Sequence, residues 1–121
     1  MSVIHSFAPG DFLIFQLESG YGLLRVIATD ELNGEHVWHV AAYRDLFLDV
    51  EMADVAIANP QSLTVEIPHV ALTNRAFEST QVSRIGNTSL TDEELCAYQA
   101  WRGSDSKEVS DRSIRLLLGL R

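Results

Sequence analysis

Two apolar runs around a short polar break constrain this chain more than any other feature. Gly10-Asp11-Phe12-Leu13-Ile14-Phe15-Gln16-Leu17 is followed by the break Glu18-Ser19-Gly20-Tyr21 and by Gly22-Leu23-Leu24-Arg25-Val26-Ile27-Ala28-Thr29. Apolar, β-branched and aromatic runs flanking a break that contains Ser and Gly predict a β-hairpin. In the first run Phe12 and Ile14 fall on one face, and Leu13, Phe15 and Leu17 on the other. Both faces are therefore apolar, and this strand is expected to be covered on two sides.

The rest of the chain extends that hairpin. Asn33-Gly34 is a strong turn signal, and His36-Val37-Trp38-His39-Val40-Ala41-Ala42-Tyr43 reads as a third strand. Strands joined by such short turns pair antiparallel, because parallel pairing needs a crossover of roughly a dozen residues. Residues 45–58 are ambiguous. Leu46, Leu48, Val50 and Met52 alternate with Phe47, Asp49, Glu51 and Ala53, as in a strand with one polar face. Residues 54–58 continue that strand or form a short helix before Asn59-Pro60. Residues 63–67 alternate again, Pro68 stops them or marks an edge, and 69–73 and 80–85 are further short strands.

The pattern then turns helical. Thr91-Asp92-Glu93-Glu94 is a capping box, after which Leu95, Ala97, Tyr98 and Trp101 share one arc that should lie on the sheet, and Gly103 ends the helix. Ser110 or Asp111 is expected to cap a last helix whose stripe is Ile114, Leu117 and Leu118. Strands first and helices last predict an α+β fold. The expectation is one domain over residues 1–121, an antiparallel β-meander or small half-barrel with helices at the C-terminal end packed on it. About five to seven strands fit the alternating segments, and the length suffices to bury roughly two-thirds of the unfolded surface.

Charge narrows the function. The net charge is −8, and residues 30–66 hold Asp30, Glu31, Glu35, Asp45, Asp49, Glu51, Asp54 and Glu66 against Arg44 alone. Such a field repels nucleic acid and anionic membranes and steers a basic partner; an acidic balance also simply keeps a protein dissolved. The basic residues of the C-terminal stretch, Arg112, Arg115 and Arg121, are too few to reverse this. No run approaches the ~18–20 apolar residues of a membrane span, and no signal segment is evident, so a cytoplasmic protein is expected.

Few residues point to catalysis. His36 and His39 would lie on opposite faces of a strand and cannot share an ion, and His69 matters only if it folds beside one of them. Asp49 and Glu51 on one strand face would stand roughly 6–7 Å apart, a spacing compatible with acid–base work but more usual for a solvated face. Cys96 sits beside Glu93 and Glu94, which disfavour its thiolate, and with one cysteine in the chain no disulfide is possible within it. Phosphate-binding and nucleophile-elbow motifs are absent. No metal or other cofactor is expected. Tyr21, Trp38 and Trp101 are the large amphipathic residues that could anchor an interface, with Trp38 and Trp101 equally suited to core packing.

The residues Pro9-Gly10-Asp11-Phe12-Leu13-Ile14-Phe15-Gln16-Leu17, Gly20-Tyr21-Gly22 and Arg25-Val26 resemble the opening of the bacterial immunity protein 26 family, over residues 9–29. That resemblance implies a small cytoplasmic protein that neutralises a toxin by direct binding, with no catalytic motif to carry over. The expectation is then a non-catalytic module that binds a basic protein, such as a nuclease toxin, through Tyr21, Asp30, Glu31, Glu35, Asp49 and Glu51. Two alternatives stand beside it. One is a small enzyme or ligand-binding barrel using His36 or His39 with Asp49 or Glu51. The other is a homo-oligomer with residues 114–120 as its seam.

Overall fold

The computed structural model describes residues 7–119. Strands β1 (Asp11–Leu17), β2 (Gly20–Leu32) and β3 (Glu35–Tyr43) form the expected meander. Asn33 and Gly34 take positive φ (55° and 81°) in the turn between β2 and β3, the conformation an Asn-Gly hairpin turn requires. Beyond them come helix α1 (Val50–Ile57), a 3-10 turn at Pro60–Ser62, β4 (Val65–Thr73) and helix α2 (Asn74–Glu78). Strand β5 (Val82–Asn87), helix α3 (Asp92–Arg102) and helix α4 (Ile114–Leu117) complete the chain. The sheet has five strands in the order β4-β3-β2-β1-β5, with every pair antiparallel. The fold is α+β.

Both faces of the sheet are covered, which is why β1 is apolar on both. On one face Leu13, Phe15, Leu24, Val26, Trp38, Val40 and Leu72 pack with Ala76 and Phe77 of α2 and Ile114 of α4. On the other, Phe12, Ile14, Leu23 and Tyr43 meet Phe47, which precedes α1, and Ala53 of α1. Further along that second face, Ile27, Ala28 and Ala41 lie under Tyr98, Leu95 and Trp101 of α3. The hairpin is thus covered by α1, α2 and α4, and over the far half of β2 by α3, whose apolar arc lies on the sheet as expected. Full burial of side chains such as Phe12 and Leu23 is worth roughly 2 kcal/mol each.

Local signals explain most elements, and their competition explains the departures. The capping box of α3 forms as expected, with Glu94 N donating to Thr91 Oγ1 and Thr91 N to Glu94 Oε1. Residues 45–53 are not a strand. Asp49 accepts from Met52 N at 2.8 Å and caps α1, so helix chemistry prevails over a short alternation that both periods fit. Residues 65–67 and 69–73 belong to one strand, β4, while Leu63 and Thr64 precede it; β4 is an edge strand, where a missing N–H at Pro68 is tolerated. Helix α4 is capped by Ser113, not by Ser110 or Asp111; Asp111 instead pairs with Arg75 and accepts from Thr73 Oγ1 at 2.6 Å. Ile114 is 1% exposed and Leu117 and Leu118 pack on the core, while Leu116 of the same helix is 68% exposed. Leu120 and Arg121 lie outside the described residues.

Two of the sheet's register shifts decide which side chains share the face of His39. Between β2 and β3 the register shifts at Ile27, and between β3 and β4 it shifts at Pro68 and His69. Each extra residue reverses the alternation beyond it. Asp30 thereby lands on the face of Arg25 and His39, and His69 leaves the face of Ile67 to join them.

Candidate functional site

The residues that carry the family resemblance build the hairpin. Arg25 is 1% exposed; its Nε donates to Glu94 Oε2 at 3.0 Å, another donor reaches Gly10 O, and its guanidinium stacks 4.1 Å from the Phe12 ring centre. Burial tends to raise the Glu94 carboxyl, but the bonds from Arg25 and Thr91 outweigh it and hold the group below its usual range. Asp11 is fully buried and accepts from Ala8 N and from Asn87 Nδ2, both at 2.8 Å. A Cβ on Gly22 would stand 2.3 Å from Phe15 Cζ, and one on Gly20 would stand 2.4 Å from Phe47 O. Those glycines therefore admit an aromatic ring and a neighbouring backbone.

Tyr21 is half-buried, not a free tip. It exchanges both backbone hydrogen bonds with Phe47 (2.7 and 2.9 Å) and packs against the Phe12–Tyr43 cluster. This bridge ties residues 44–49 and the start of α1 to the hairpin turn. Asp49 caps α1 and Glu51 lies exposed in its first turn. Asp30, Glu31 and Glu35 lie at the other end of β2, about ten residues and roughly 30 Å from Tyr21. The acids expected to surround Tyr21 are thus divided between two ends of the sheet.

At the Tyr21 end the chain exposes apolar side chains that its alternation suggested were buried. Leu46 is 56% exposed, Leu48 76%, Met52 47% and Val55 74%. They make up four of the six exposed large apolar side chains among the described residues; a fifth, Val65, lies across from Tyr43 at the same end. Ala53 is buried, with Val50, Ala56 and Ile57 packed beside it, so α1 turns one apolar face inward and presents a second to solvent. Asp49, Glu51 and Asp54 are exposed on the same segment, whereas Asp45 is half-buried and accepts from Thr64 N at 2.6 Å. Spacing of 48, 52 and 55 at i, i+4 and i+7 was the available signal, hidden because the same residues also fit a strand.

The histidines assemble elsewhere, and without Asp49 or Glu51. His36 is exposed and faces away from His39, as strand alternation requires. His39 is fully buried, its Nδ1 lies 2.9 Å from His69 Nε2, and its Nε2 lies 3.0 Å from Asp30 Oδ2 but off the direction of a straight hydrogen bond. Ring centres 5.1 Å apart and planes within 14° place the two imidazoles edge to edge. Tyr98 Oη donates to Asp30 Oδ2 at 2.8 Å, and Trp101 closes on the His39 ring at 4.5 Å. Burial, reinforced by His69 and opposed by Asp30, lowers His39 to about 4, and burial also lowers His69. No group of three or more metal-ligating side chains occurs among the described residues. Cys96 is exposed, Trp38 is core, and Trp101 is half-buried. No helix among the described residues is long and apolar enough to cross a membrane.

Comparison with protein-family profiles, with curated proteins and with solved structures finds no match.

Proposed function

We propose that this chain is a non-catalytic protein-binding module whose outer α1 face docks a basic protein. The observation that carries this reading is the exposure of Leu46, Leu48, Met52 and Val55 on a segment whose exposed charges are Asp49, Glu51 and Asp54. Exposed apolar side chains set among like charges suit a protein interface, in which apolar groups exclude water and charged ones select the partner. Those charges are all negative, so they favour a partner that brings Lys and Arg around an apolar centre. The resemblance over residues 9–29 supports a toxin as that partner and an immunity role in the cytoplasm, while the acids at the Asp30–Glu35 end add to the long-range field.

Affinity capture from the native host with the intact chain, beside Met52→Lys/Val55→Lys and Glu51→Lys/Asp54→Lys variants, tests this. A single basic chain held by the native protein, lost from both variants and released by salt, is the expected result. A captured chain held equally by all three proteins would remove α1 from the interface.

A further inference from the structure

A groove of about 540 Å³ lies at the opposite edge of the sheet, lined by His69, Val70, Ala71, Trp101 and residues 108–110. Its walls are fixed. Ser110 N donates to Ala71 O at 2.8 Å and Thr73 N to Ser110 O at 3.0 Å, which seats the 108–110 segment beside β4. Trp101 Nε1 donates to Glu108 O at 2.8 Å and anchors the same segment to α3. The groove is therefore built before any ligand arrives, the condition that lowers the entropic cost of binding.

One of its polar groups, the His69 imidazole, is set by the chain of residues behind it. The Asp30 carboxylate, 3.0 Å from His39 Nε2, repels a bare lone pair there and keeps the proton on that nitrogen. His39 Nδ1 must then accept, so His69 Nε2 carries the proton of the 2.9 Å contact. That leaves His69 Nδ1 as a bare acceptor. It has no hydrogen-bond partner among the described residues, and it is not one of their buried unsatisfied atoms, so it remains accessible. The Asp30–His39–His69 chain orients the imidazole much as outer partners orient a ligating or catalytic histidine.

We propose that this groove binds a small molecule carrying an O–H or N–H donor on a flat aromatic ring, the donor bonding to His69 Nδ1 and the ring lying against Trp101. The exposed Glu108 carboxylate and the imidazole lone pair both disfavour anions. The site is independent of the α1 face, so either can fail without the other.

Phenol and anisole test this, since they share a ring and only phenol has the donor. Long-range proton–nitrogen NMR on the intact protein near pH 7 should show His69 with Nε2 protonated and Nδ1 bare. Phenol should move the His69 and Trp101 side-chain signals saturably, with anisole about fivefold weaker, the value of one neutral hydrogen bond. Val109→Trp, which fills the groove and leaves both histidines in place, should abolish the phenol response. A proton on His69 Nδ1, equal responses to phenol and anisole, or no response to phenol would each overturn the proposal.

Discussion

Arg25 and Glu94, 69 positions apart in the sequence, meet through hydrogen bonds of 3.0 and 3.3 Å, joining the middle of β2 to the first turn of α3. The same carboxylate closes the capping box with Thr91, so one side chain ends a helix and neutralises a buried guanidinium. Replacing Glu94 by Ala leaves the Arg25 charge uncompensated in the interior. The expected loss is about 3 kcal/mol of unfolding free energy. Urea unfolding reads it, and Arg25→Met/Glu94→Leu should recover much of the loss; a Glu94→Ala protein as stable as the native one would make the pair dispensable.

Gly22 faces the Phe15 ring at a distance no side chain tolerates, with the ring carbons 2.3–2.8 Å from where a Cβ would stand. Gly22→Ala should destabilise by about 2 kcal/mol through overpacking. Phe15→Leu in the same chain should offset part of that loss, giving a non-additive double-mutant cycle. Strict additivity would mean that the ring is not what the glycine accommodates.

Acid should weaken the fold well above the carboxylate range. His39 titrates near 6.5 when unfolded and at about 4 when folded, because burial and His69 disfavour its charge more than Asp30 favours it. The unfolded chain therefore takes up the proton first as pH falls. Stability is full above about pH 6.5 and declines toward pH 4, by up to about 3 kcal/mol, with His69 acting in the same direction. Denaturant midpoints compared at about pH 7 and about pH 5 should fall for the native chain and fall much less for His39→Phe. Equal falls in the two proteins would place the sensitivity elsewhere.

On α1, changes to the outer and inner faces should separate function from folding. Val55→Lys should alter stability by no more than about 0.5 kcal/mol, because Val55 is 74% exposed, whereas Ala53→Leu at 0% exposure should cost about 1–3 kcal/mol through overpacking. Asp49→Ala should cost about 1 kcal/mol by removing the helix cap. Melting temperatures of the three variants measure this, and a large loss in Val55→Lys would show that the outer face is part of the core.

The hairpin, the Asn-Gly turn and the Thr91–Glu94 box were legible in the sequence because each is a local signal, complete within a few residues. A two-faced apolar run says that β1 is covered on both sides, without saying by what. The α1 segment was less legible, since 45–53 satisfies two periods and only the Asp49 cap distinguishes them. Nothing local announces that Asp30 and His69 join His39. Strand alternation assigns each to a face, and the bulges at Ile27 and at Pro68 and His69 reverse that assignment. A bulge is fixed by the pairing of two strands, over which the sequence of either has little say. Local chemistry thus decided the elements, and strand register, a property of the assembled sheet, decided that an Asp–His–His chain centred on buried His39 exists at all.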